Sequence, residues 1–94
     1  MTSAGDADER ESLLDFPCTF PLKIIGPAND DLAPAVLEMV LRHAPDFDAA
    51  TIEVRASSAG RYVSLTCTIH ATSRGQLDAL YRELSAHPWV RFVL

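Results

Sequence analysis

Ninety-four residues, 48% of them hydrophobic, bound one compact domain, because a chain of this length buries one core. A formal charge of −5 argues against a surface built to neutralise phosphates, and two cysteines are too few for a disulfide framework. No apolar run approaches the roughly 18 to 20 residues that cross a bilayer, and the acidic amino terminus lacks the basic and apolar regions of a signal peptide, so a soluble, cytoplasmic chain is expected.

Residues 1–12 are expected to form a disordered acidic tail. Asp6, Asp8, Glu9 and Glu11 stand there against Arg10, with little apolar surface to repay the entropy of ordering. The folded unit is placed at 13–94. Leu13, Leu14 and Phe16, ahead of Pro17, read as an apolar anchor at its edge. Cys18 to Gly26 reads as a strand with Phe20, Leu22 and Ile24 on one side and Lys23 and Ile25 on the other. Pro21 has no ladder donor, so pairing is expected to begin after it or to be irregular there. Gly26-Pro27-Ala28-Asn29 is a turn.

Asp30 and Asp31 supply a helix cap, with Asp31 the better placed because Pro34 is tolerated only in a first turn. Leu32, Val36, Met39, Val40 and His43 then recur at helical spacing, widened by Leu37 and Leu41, until Pro45. His43 is expected to meet free carbonyls at the helix end. Thr51 to Ala56 alternates as a strand, with Ile52, Val54 and Ala56 inward. Ser57-Ser58-Ala59-Gly60 links it to the next strand as a hairpin, Gly60 being free to take a positive φ.

Arg61 to Ala71 is the central strand, alternating Val63, Leu65, Cys67, Ile69 and Ala71 with Tyr62, Ser64, Thr66, Thr68 and His70. Ser73 and Gln76 match a capping box opening a second helix. Its apolar side is Leu77, Leu80, Tyr81 and Leu84, and Asp78 and Arg82 are spaced for an ion pair. After His87-Pro88, Trp89 to Leu94 predicts a last strand with Val90, Phe92 and Leu94 inward. The order βαββαβ predicts an α+β, ferredoxin-like sandwich: a four-stranded antiparallel sheet with two helices on one face and the other face open.

The chemistry-bearing residues form no recognised constellation. Three histidines and two cysteines lie in different elements without ligand spacing, so no metal or other cofactor is expected. Cys67 reads as a small core residue, and Cys18 is expected near it if the two strands pair antiparallel. Ser64, Thr66, Thr68 and His70 share a face but lack an orienting carboxylate, and the loop after the first strand carries acids where an acylphosphatase needs arginine. RNA recognition competes, because RNA-binding modules share this element order; Lys23, Arg55, Arg61 and Arg91 would supply the basic patch, but Ser, Thr and His stand where such modules place stacking rings.

Several phrases together resemble the YbeD-like family of small uncharacterised bacterial proteins. They are Leu14-Asp15-Phe16-Pro17, Lys23 with Gly26, Arg42-His43-Ala44-Pro45, Ser57-Ser58-Ala59-Gly60-Arg61-Tyr62, Gln76, Tyr81 and Val90-Arg91-Phe92-Val93-Leu94. Ala59 and Phe92 depart from the commoner residues of that family. The resemblance implies a ferredoxin-like fold similar to ACT-type regulatory domains, which bind small ligands at the loop after the first strand and often pair sheet to sheet. By that analogy Gly26, Asn29 and Asp30 would be the ligand loop, although a fold does not carry a ligand with it. The expectation is a non-enzymatic regulatory or adaptor module that binds a small metabolite or a protein partner. Ile25, Tyr62 and Trp89 are its candidate interface, and a homodimer through the open sheet face is one form that interface could take. An RNA-binding module using the open face is the alternative, with nucleic acid disfavoured by charge.

Overall fold

The computed structural model describes residues 15–94. The acidic tail, Leu13 and Leu14 lie outside the described residues. Strand β1 is Cys18–Pro27, helix α1 Leu32–His43, strand β2 Glu53–Ala56, strand β3 Tyr62–Ala71, helix α2 Arg74–Ala86 and strand β4 Phe92–Val93. The sheet order is β2-β3-β1-β4 and every pairing is antiparallel, as the predicted ferredoxin-like arrangement requires. Leu22 and Ile24 of β1, and Leu65, Cys67, Ile69 and Ala71 of β3, share one buried core with Leu32, Val36 and Val40 of α1 and Leu77, Leu80 and Leu84 of α2. Both helices therefore cover the same face of the sheet.

Strand β1 pairs with β3 without interruption from Cys18 opposite Ala71 to Pro27 opposite Tyr62. Pro21 neither delays nor distorts this ladder. The N–H and C=O of Lys23 bond to Leu94 on the β4 side, so alternate residues of β1 point their backbone groups that way. Pro21 is one of them, and the missing donor falls on a stretch of edge that the two residues of β4 do not reach.

The central strand is buried in the alternation its sequence dictates, but Val54, Ala56, Phe92 and Leu94, all expected inward, are exposed. Val54, on the helix-facing side of β2 opposite Leu65, is 63% exposed, because neither helix extends over that edge strand. Thr51 belongs to a short 3-10 turn at Ala49–Thr51, capped by the Asp48 side chain, so β2 starts two residues later than expected. Strand β4 is only two residues long, and its register is opposite to the prediction. Val93 stands opposite Ile24 and packs on the core, whereas Phe92 stands opposite Ile25 on the outer face. Val90 is buried, but Phe92 and Leu94 are exposed. A shift of one residue between Val90 and Phe92, across the irregular Arg91, exchanges the faces.

The helix termini also differ from the sequence reading in detail. Asp31 occupies the cap position of α1 but its side chain caps nothing; Asn29 Oδ1 accepts from the Asp31 amide instead at 2.9 Å. Ser73 caps α2 as predicted, accepting from Gln76 N at 3.1 Å. Gln76 reaches back to Thr72 N, one residue beyond the expected partner, and its Nε2 donates to the His43 carbonyl at 2.8 Å. One side chain thus closes the start of α2 and ties it to the end of α1. Asp78 pairs with Arg74 rather than Arg82, and Tyr81 is half exposed rather than core.

Candidate functional site

The open face is assembled by strand register. Arg55 of β2 stands opposite Ser64 of β3, Ser64 opposite Ile25 of β1, and Ile25 opposite Phe92 of β4, so one row crosses all four strands. The neighbouring row runs Glu53, Thr66, Lys23. Residues directly opposite share a face, which places Arg55, Ile25, Phe92 and Lys23 together on the side away from the helices. Tyr62, opposite Pro27, joins them.

Two adjoining depressions follow this row. The first, an open concavity of about 550 Å³, is lined by Ile25, Tyr62, Arg91 and Phe92. The second, about 250 Å³, runs over Ile25, Arg55, Ser57, Tyr62 and Ser64. Ile25 and Tyr62 belong to both, so the two form one shallow trough with an arginine toward each end. Tyr62 is 45% and Phe92 63% exposed, so both rings present aromatic surface along the trough.

The charges divide between the two sides of the molecule. Arg42 pairs with Glu83 and Glu38, and Arg74 with Asp78, all on the helices. Among the described residues Lys23, Arg55, Arg61, Arg82 and Arg91 form no ion pair, and of these Lys23, Arg55 and Arg91 border the open face. Glu53 is the acid that the strand register adds to their face, while Asp30, Asp31, Glu38, Asp46, Asp48, Asp78 and Glu83 sit on helices and loops. The protein is acidic, yet its open face is basic.

Of the three residues expected at an interface, the fold brings Ile25 and Tyr62 together and leaves Trp89 apart. Trp89 is half buried against the core, tilted on His87 with ring centroids 5.3 Å apart. Phe92 and Arg91 take the place expected for it. The sequence signal for Phe92 was its phase relative to Val93, which is not readable in so short a strand.

Around the loop after β1, Gly26 is buried, and a Cβ there would meet the Trp89 carbonyl oxygen at 2.6 Å. Asn29 uses its carbonyl oxygen on the Asp31 amide, and Asp30 is exposed. Gly26 and Asn29 thus have folding tasks that account for them.

A cluster of polar side chains links the two helices. His43 Nε2 lies 2.7 Å from Glu83 Oε1, and Arg42 pairs with the other oxygen of that carboxylate, so Glu83 joins α1 to α2. His43 therefore meets a carboxylate, not the free carbonyls expected. Cys18 stands opposite Ala71 and Cys67 opposite Leu22, four positions apart along the ladder, on the order of 13 Å. That separation excludes a disulfide between them, and burial pushes the Cys67 thiol from 9.0 up to about 11, which keeps it protonated and unreactive. Among the described residues no group of three or more His, Cys, Asp or Glu could hold a metal ion, and no helix is long and apolar enough to cross a membrane.

Fold and surface together define a small α+β module with a ferredoxin-like sheet, helices on one side and an apolar, basic trough on the other. The chain belongs to the family described as "Protein of unknown function (DUF493)", whose model matches residues 11–94. It is 51% identical to a UPF0250 protein of Janthinobacterium sp. (strain Marseille) over 90 residues, covering 96% of this chain and 99% of that one. A UPF0250 protein of Nitrosomonas europaea is 54% identical over 84 residues, 89% of this chain and 97% of the relative. One of Ralstonia nicotianae is 46% identical over 97 residues and covers both chains in full. These are the YbeD-like bacterial proteins whose phrases the sequence resembles.

Proposed function

We propose that this protein is a non-enzymatic adaptor or regulatory module that acts by binding a protein partner across its open sheet face. The observation that carries this reading is the trough formed by Ile25, Tyr62 and Phe92, in which exposed aromatic and aliphatic side chains are gathered by strand pairing. Buried aromatic anchors with arginine beside them carry most of the energy of protein interfaces. A small ligand in the loop after β1 has less support, since Gly26 is filled by its neighbours and the Asn29 side chain is already bonded.

An RNA-binding role is the second reading, favoured by the exposed Tyr62 and Phe92 rings beside Arg55 and Arg91. Against it stand the overall charge of −5 and the Ser64 and Thr66 side chains across the middle of the sheet. Photo-cross-linking in living cells tests the main reading: a benzophenone amino acid is placed at position 62 and, separately, at position 30. The expected result is a discrete protein adduct from position 62. Adducts from position 30 alone would move the site to the loop, and RNA adducts from position 62 would promote the second reading.

A further inference from the structure

The two arginines of the trough suggest what its occupant looks like. Arg55 and Phe92 end one row across four strands, three strand spacings or about 14 Å apart, and Arg91 immediately precedes Phe92. Between them lie Ile25 and, beside the row, Tyr62. In an extended peptide, residues four apart are separated by about 13 Å. We infer that the open face receives an extended acidic protein segment in which two carboxylates about four residues apart flank an apolar side chain, the carboxylates meeting Arg55 and Arg91 and the apolar group seating on Ile25, Tyr62 and Phe92.

This inference rests on the open face being the binding surface and adds the chemistry of the partner. Charge complementarity carries it. On the helix side Arg42 and Arg74 have carboxylate partners at Glu38, Glu83 and Asp78 and Arg82 has none, whereas on the open face Arg55 and Arg91, neither in an ion pair among the described residues, stand toward the two ends of one trough. Two flanking guanidiniums are suited to carboxylates, which they can grip bidentately. A second copy presenting the same face would set Lys23, Arg55 and Arg91 against their own kind, which disfavours a face-to-face homodimer. A nucleic-acid strand carries a phosphate at every nucleotide and asks for a continuous basic track; here Glu53 interrupts the next row.

The test is a titration of the isotopically labelled full-length protein, followed by amide resonances, with a synthetic peptide of three Asp-Gly-Phe-Ser repeats. The same peptide with Asn for each Asp, and mixed single-stranded RNA, are the comparators. The Asp peptide is expected to shift resonances of Ile25, Tyr62 and Phe92. Its affinity should fall about tenfold or more in the Arg55→Glu, Arg91→Glu double variant, and several-fold on raising salt through the physiological range. If the Asn peptide binds equally well, with the arginine variant unaffected and Phe92→Ser weakened, the acidic occupant is wrong and the open face stands. Shifts confined to α1 and α2 would sink both. No shift with the Asp peptide, or tighter binding of RNA to the trough, would overturn the acidic segment, with the cross-linking from position 62 deciding separately whether the face binds anything.

Discussion

Gly26 illustrates how one position can be fixed by packing. A methyl group there would run into the Trp89 carbonyl oxygen at 2.6 Å and a Leu32 methyl at 2.9 Å, and the first of these is backbone that cannot swing aside. Gly26→Ala should therefore cost about 1 to 3 kcal/mol in a urea melt, typical of overpacking. Gly60 differs: nothing crowds it, but its φ of 72° is a left-handed conformation, so Gly60→Ala should cost about 1 kcal/mol through backbone strain alone. Cys67 gives a prediction in pH. Burial raises its thiol from 9.0 to about 11, so the folded state keeps a proton that the unfolded chain releases over that interval. Stability from this group is full below the lower value, falls as pH rises, and is lost above the upper one, on the order of 2 to 3 kcal/mol in all. Urea melts across that range should show a steeper alkaline loss in the wild type than in Cys67→Val; parallel curves would contradict the burial.

Opposed residues on neighbouring strands need not be equally buried. Leu65 of β3 is 1% exposed and its partner Val54 of β2 is 63% exposed, although both point to the helix side. Leu65→Ala should cost about 2 to 5 kcal/mol by leaving a cavity, and Val54→Ala under about 1 kcal/mol, both read from denaturant midpoints. Equal losses would mean that a helix covers β2 after all. Between the helices, Gln76 bonds to Thr72 N and to the His43 carbonyl. Removing it as Gln76→Ala takes away a cap and a cross-element bond together, and should cost about 1 to 2 kcal/mol.

Across the whole molecule, the packed core and the exposed trough lie on opposite sides of the sheet. Core, helix-linking ion pairs and caps lie on the helix side, whereas Arg55, Arg91, Tyr62 and Phe92 are exposed and bear little of the packing. The Arg55→Glu, Arg91→Glu double variant should therefore keep its unfolding free energy within about 1 kcal/mol of wild type, because exposed residues outside any network seldom matter to stability. A larger loss, measured by urea melt, would mean that the arginines serve the fold.

The sequence by itself determined the element order, the central alternation from Val63 to Ala71, the buried stripe from Leu32 to Val40 and the positive φ at Gly60. Each is a local matter of period or backbone freedom. It did not disclose the burial of Phe47, a lone aromatic in a loop whose phase carries no signal, or the outward turn of Phe92. Two residues are too few to define an alternation, so the face of β4 was decided by pairing with Ile24 and Ile25. Ile25, Tyr62 and Arg55 could each be placed outward from the sequence, but their meeting in one trough with Phe92 and Arg91 depends on strand register. Register is a relation between distant segments, fixed when the helix-facing side chains of all the strands are buried together, and only the tertiary structure holds it.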